Sequence, residues 1–233
     1  MSGSVEDAGM AIQMERIPRF LKGALAALAL LPAVPGHAAE PSAAQTPAAE
    51  CRIAVLGDSL TAAYGLDVAD GFPARLEQAL RARGYDCAVL DAGVSGDTSA
   101  GGLARLDWML ADRPSHVIVE LGGNDGLRAL PPEEMERNLD QIIGRLKSAG
   151  IPVLLTGMLA PPNLGRDYGD AFAGVFPELA AKHGVPLYPF FLDGVAGDAL
   201  LNQGDGIHPT EEGIAIIVER ILPTVTDWLD QGA

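Results

Sequence analysis

The sequence predicts an α/β fold: one domain with a five-stranded parallel sheet in the middle layer of a three-layer α/β/α arrangement. Two observations predict it. Short apolar runs alternate along the chain with longer segments of helical spacing, the order that builds a parallel sheet covered on both faces. Polar residues with chemical capability (Ser59, Gly96 and Asn124) follow the first three apolar runs, where ligands gather beyond the carboxyl ends of such strands.

The elements follow in order. Arg52–Leu56 is a short apolar strand ending at Gly57. Phe72–Arg83 carries Phe72, Leu76, Ala79 and Leu80 on one helical face, with Gly84 as its stop. Cys87–Leu90 is the second strand, and Ala100–Leu110 is expected to be one helix through Leu103, Leu106 and Leu110. His116–Leu121, rich in Val and Ile, is the third strand. Pro132–Ala149 places Met135, Leu139, Ile142, Ile143 and Leu146 three or four residues apart, the clearest helix in the chain. Val153–Thr156 is the fourth strand. Tyr168–His183 is expected to be helical but bent or broken at Pro177. Leu187–Tyr188 starts a short fifth strand. The last helix runs from about Glu211 to Trp228, capped by Thr210, with Ile214, Ile217, Val218, Ile221 and Val225 on its apolar stripe.

Composition narrows the function. Hydrophobic residues make up 48% and charged residues 20% of the chain, as in a soluble globular protein. The net charge is −15, and the acids and bases of residues 1–39 cancel, so the remainder keeps all of it. Such a surface repels phosphate backbones and anionic membranes, which argues against nucleic acid as a partner. Residues 1–39 read as a signal peptide, with translation starting at Met1 or Met14. A basic region reaches Lys22, an apolar stretch spans Gly23 to Val34, and small residues permit cleavage after Ala38 or Ala39. That stretch is too short for a membrane span of about 20 residues. Residues 40–50, rich in Ala, Pro, Ser and Thr, read as a flexible linker. A periplasmic or secreted location follows, with no stable membrane anchor once the signal is cleaved. Cys51 and Cys87 open the first two strands and could sit side by side; a disulfide and two unpaired core thiols are both compatible with the sequence.

The chemistry lies in Ser59, Asp205 and His208. A serine hydroxyl is a poor nucleophile until a base removes its proton, and a neutral imidazole at His208 is suited to that task. Asp205, three residues earlier, can reach Nδ1–H across a turn, fix the tautomer and stabilise the imidazolium. An attacked carbonyl also needs donors for its new charge: Ser59 N–H at an expected helix start, Gly96 N–H, and the Asn124 amide. Each residue alone has an ordinary reading, as a cap, a turn or a loop glycine. Their joint placement at one sheet edge is what points to acyl transfer.

These motifs resemble the GDSL, or SGNH, hydrolase family. The markers are Ser59 in Gly57-Asp58-Ser59-Leu60, Gly96 in Ser95-Gly96-Asp97-Thr98, Asn124 in Gly122-Gly123-Asn124-Asp125, and His208 in Asp205-Gly206-Ile207-His208-Pro209. Longer stretches, Gly102–Leu106, Val119–Arg128 and Pro189-Phe190-Phe191, resemble the exported thioesterase branch of the family. The resemblance implies a flavodoxin-like sheet over residues 51–233, a Ser–His–Asp mechanism with no metal or other cofactor, and an oxyanion hole of Ser59, Gly96 and Asn124. It further implies a substrate loop containing Asp125, Gly126, Leu127 and Arg128, and a second acyl-site loop at Pro161–Tyr168. Ala63 stands where relatives usually have glycine before Tyr64, and Ala129-Leu130 also depart from the usual pattern.

The reading is therefore a monomeric serine esterase acting on small-molecule acyl esters and thioesters, with arylesterase, acyl-CoA thioesterase and lysophospholipase activities. A carbohydrate O-deacetylase of the same superfamily and a non-catalytic periplasmic fatty-acid-binding protein are the rivals.

Overall fold

A computed structural model describes residues 51–231. The signal peptide and linker expected over residues 1–50 lie outside the described residues.

Five strands form one parallel sheet in the order β2-β1-β3-β4-β5: β1 Cys51–Gly57, β2 Cys87–Gly93, β3 His116–Glu120, β4 Val153–Thr156 and β5 Leu187–Tyr188. The side chains of β1, β3 and β4 are buried on both faces, whereas the edge strand β2 exposes Asp91. Ile53, Leu56, Val117, Ile118, Val119, Leu154 and Leu155 have no exposed surface. Burying one such side chain contributes about 1.5–3 kcal/mol.

The helices are α1 Phe72–Ala82, α2 Ser99–Ala104, α3 Leu106–Leu110, α4 Gly123–Leu127, α5 Pro132–Ser148, α6 Arg166–His183 and α7 Glu211–Gln231. Helix α1 packs on α7, and α5 packs on α6 and α2. In α5, Glu133 and Glu134 open the first turn while Arg145 and Lys147 close the last, complementing the helix dipole. The Thr210 hydroxyl accepts from Gly213 N–H at 3.3 Å, the cap expected for α7.

Two of the local expectations, the single helix over Ala100–Leu110 and the helix start at Ser59, are corrected. The helix expected over Ala100–Leu110 breaks into α2 and α3 at Arg105. The Gly101-Gly102 pair lowers the helix propensity of the short α2, and the Arg105 side chain beyond it donates to the backbone carbonyls of Ala92 and Gly57. The segment expected to be helical is one helix, α6, with no break at Pro177. Phe172, Phe176 and Leu179 anchor it in the core, and that packing outweighs the lost hydrogen bond. Asn124 lies within the short helix α4, after β3 as expected. Ser59 lies in irregular turns rather than at a helix start, with Ala62 N–H donating to Asp58 O and Tyr64 N–H to Ser59 O.

Strand order decides where the site lies. From β1 the chain moves to β2 on one side and then to β3 on the other, so connections diverge between β1 and β3. Gly57 and Glu120, the last residues of those strands, are register partners. Ser59 and Asn124 leave the sheet there, two and four residues further along.

At the opposite edge Cys51 and Cys87 are register partners and form a disulfide, with Cα atoms 4.5 Å apart.

Candidate active site

The turn after β1 brings Ser59 to the mouth of the crevice. The loop before α7 brings His208 to meet it, and Ser59 Oγ lies 2.8 Å from His208 Nε2. His208 Nδ1 is 2.6 Å from Asp205 Oδ2. The other Asp205 oxygen accepts from the backbone N–H groups of Ile207 at 2.9 Å and His208 at 3.0 Å. These bonds, the His208 side chain first, hold the Asp205 carboxyl down at about 2. An ionised carboxylate only accepts, so Nδ1 carries the proton and donates to Asp205. Nε2 is then left to accept from the Ser59 hydroxyl. The Tyr64 ring lies against the imidazole with centroids 4.3 Å apart. Gln203 Nε2 donates to Tyr64 O at 2.8 Å and Pro209 O at 2.9 Å, tying the two loops together.

The three donors expected for an oxyanion are each available for a ligand. Among the described residues, Ser59 N–H and Gly96 N–H have no acceptor within the protein. Gly96 has φ +86°, a left-handed conformation that a side chain would strain. Asn124 Nδ2 donates one hydrogen to Asp58 Oδ2 at 2.9 Å, leaving its second for a ligand. Asp58 Oδ1 accepts from Leu60 N–H at 3.0 Å. Burial pushes Asp58 up to about 6, against the pull of its bonds from Leu60 and Asn124.

The four residues expected in a substrate loop take different places. Leu127 lines the cavity beside Ser59 and is 49% exposed. Asp125 is buried and accepts from Ser99 N–H at 2.8 Å and Ser99 Oγ–H at 2.6 Å, anchoring α4 to α2. Gly126 is buried against Phe172. Arg128 Nη2 donates to Gly96 O at 2.7 Å, which ties the end of α4 to the Gly96 loop.

A cavity of about 600 Å³ opens beside Ser59, within the size range of small-molecule sites. Leu60, Leu127, Met158, Leu159, Phe190 and Ile207 give it an apolar wall. Of the second expected loop, Pro161 and Pro162 reach the cavity. Tyr168 turns away, its hydroxyl donating to Leu130 O at 2.7 Å.

Sequence reasoning passed over four residues of this site: Asp58, Tyr64, Arg105 and Glu120. Arg105 clips three segments together, donating to Asp97 at 2.5 Å, Ala92 O at 2.7 Å and Gly57 O at 2.8 Å. Glu120 was visible as an acid closing a run of buried apolar residues, a signal left unused. Ala63 and Ala129, the departures from the family pattern, both have left-handed φ, +54° and +51°. Glycine suits that conformation better.

Comparison with known proteins agrees with this geometry. Residues 55–216 match the GDSL-like Lipase/Acylhydrolase family. The chain is 44% identical to Esterase TesA of Pseudomonas aeruginosa over 183 residues, 78% of this chain and 91% of the relative. It is 39% identical to Thioesterase 1/protease 1/lysophospholipase L1 of Escherichia coli K12 over 183 residues, 78% of this chain and 83% of the relative. The crystal structure of AlinE4, an SGNH-hydrolase family esterase, superposes with a TM-score of 0.66 at 46% identity, covering 76% of this chain and 96% of that one. A polar edge built on the β1–β3 divergence, and a match over most of the chain, agree: this protein belongs to the GDSL-like lipase/acylhydrolase family and is an ester-hydrolysing enzyme.

Proposed function

We propose that the chain is an exported serine hydrolase that cleaves acyl esters and acyl thioesters through an acyl-Ser59 intermediate. The supporting observation is the continuous relay from Ser59 Oγ to His208 Nε2 at 2.8 Å and from His208 Nδ1 to Asp205 at 2.6 Å, beside an apolar cavity.

Ser59 Oγ attacks the substrate carbonyl while His208 Nε2 takes its proton. Asp205 stabilises the imidazolium that results. The carbonyl oxygen, now negative, accepts from Ser59 N–H, Gly96 N–H and the second Asn124 Nδ2–H. Collapse of this intermediate breaks the bond to the alcohol or thiol, which leaves with the proton from His208. Water then attacks the acyl-serine with His208 as base, releasing the acid and restoring the hydroxyl. The acyl chain occupies the cavity walled by Leu60, Leu127, Met158, Leu159, Phe190 and Ile207. Leu127 and Arg128 are the substrate-loop residues that bear on this step, one as wall and one as tether of Gly96. The names borne by the E. coli relative support thioesters and lysophospholipids as substrates. The Cys51–Cys87 disulfide and the signal-like residues 1–39 support a periplasmic or secreted location.

An acyl-length series of nitrophenyl esters and acyl-CoAs tests the reading. Higher kcat/KM for longer acyl chains than for acetyl is expected. A preference for acetyl would favour the deacetylase reading instead. A fluorophosphonate probe should label the wild-type chain at Ser59, whereas a pure fatty-acid binder would stay unlabelled.

A further inference from the structure

Strand β3 ends on a glutamate with no exposed surface. Glu120 Oε2 accepts from the Thr61 hydroxyl at 2.9 Å and from Asp58 N–H at 3.3 Å. Its Oε1 has no hydrogen-bond partner among the described residues. No Lys, Arg or His among them forms an ion pair with it. The charge facing it is the Asp58 carboxylate, also buried, from the turn after β1. Asp58 in turn feels His208 from the loop before α7 and Asp97 from the loop after β2, with Arg105 bonded to Asp97. The chain makes room for this carboxyl. A Cβ on Gly57, its register partner, would overlap both Thr61 Oγ1 and Glu120 Oε2. Burial first, and Asp58 second, push the Glu120 carboxyl well above the usual carboxylate range. A neutral acid leaves one hydroxyl unpaired at Oε1, a smaller cost than an unpaired buried charge.

We propose that Glu120 is a positioning residue for the oxyanion hole, its buried carboxyl gripping the Asp58–Thr61 turn from beneath. This rests on the serine-esterase reading above. With no cation beside it among the described residues and Oε1 unpaired, the carboxyl is held neutral. Ser59 and its N–H lie between the two residues that Glu120 grips. Asp58, the first of them, also holds the Asn124 amide. Two of the three donors to the oxyanion are therefore set through one buried carboxyl. Its neutrality leaves Asp58 as the sole negative charge of the pair under a site where negative charge must form. Ionised Glu120 would oppose the reaction.

The test compares Glu120→Gln, a neutral isostere, with Glu120→Ala on nitrophenyl esters from neutral into alkaline pH. Glu120→Gln should keep kcat within about threefold, and Glu120→Ala should lose about 10–100-fold in kcat with KM little changed, less than full loss of a donor. Infrared spectra of wild-type protein labelled with ¹³C-glutamate should retain a protonated-carboxyl band at neutral pH that Glu120→Gln removes. Equal losses in the two variants, or full kcat in Glu120→Ala, would overturn the proposal. So would an ionised Glu120 at neutral pH. If Glu120→Ala does not fold, Thr61→Val removes the hydroxyl donor to Oε2 and should lower kcat in the same sense; unchanged kcat there would also overturn it. Failure of the esterase reading is distinct, because Ser59→Ala would then keep its activity whatever the Glu120 variants do.

Discussion

At the residue scale the site is a set of separable roles with different expected penalties. Ser59→Ala should remove turnover of nitrophenyl esters by about 10⁴-fold or more while the chain stays folded, read by steady-state kinetics and circular dichroism. Asp205→Asn should cost about 10⁴-fold in kcat, because Nδ1 loses the acceptor that fixes its tautomer. Asp205 sits at about 2, so it stays ionised through the whole range in which an imidazole can act as base. The acid limb of the rate profile then belongs to other groups. Asn124→Ala should cost about 10²–10³-fold in kcat by removing one oxyanion donor. Asp58 carries a pH signature of its own. Its carboxyl is raised from 3.8 to about 6, mainly by burial. The folded chain therefore holds a proton that the unfolded chain has released between those values, and stability contributed by Asp58 falls as pH rises through that window. Asp58→Asn removes the dependence. Relative to wild type the variant should gain stability on going from pH 4 to pH 7 in urea titrations, and it should lose kcat because the Asn124 amide no longer faces a carboxylate.

At the element scale the loops after β1, β2 and β3 are held in register by side chains, since loops have no ladder to fix them. Arg105 is the clearest case, spanning the ends of β1 and β2 and the Asp97 loop that follows Gly96. Its side chain is 16% exposed and that of Asp97 18%, so water offers little compensation when the pair is broken. Arg105→Ala should destabilise the fold by about 2–4 kcal/mol, measured by urea unfolding, and should lower kcat more than it raises KM. Arg105→Lys should rescue only part of both losses, because a point charge cannot serve three acceptors in a fork. The same need explains why one expected helix became two. The backbone breaks at Arg105 so that its guanidinium reaches the β1 and β2 carbonyls.

At the scale of the whole molecule, chemistry and covalent reinforcement occupy opposite edges of the sheet. The disulfide joins the first residues of β1 and β2, while Ser59 leaves the far end of β1, about 20 Å away at about 3.3 Å per residue. Closing a loop across a sequence separation of 36 residues stabilises by about 2–4 kcal/mol. Replacing Cys51 and Cys87 together by alanine should therefore lower the unfolding free energy by that amount. The same double variant should leave kcat/KM for nitrophenyl esters within about twofold, since effects at well-separated sites are close to independent.

How much of this was legible in the chain divides along one line. The alternation of apolar runs and helical spacing was enough for the layers. The Ser59, Gly96, Asn124 and Asp205–His208 motifs were enough to name the candidate chemistry, because the first three need only a residue type and a place after a strand, and the last a carboxylate three residues before an imidazole. The contacts between motifs were not legible. That Asp58 holds Asn124, that Arg105 binds Gly57 O, that Asp125 turns inward to Ser99, and that Glu120 lies under the Ser59 turn all join residues dozens of positions apart. Local sequence determines which groups are present and which backbone each segment favours. Which of those groups meet, how deeply each is buried and therefore which charge each keeps is decided only when parallel strands are set side by side in the folded sheet.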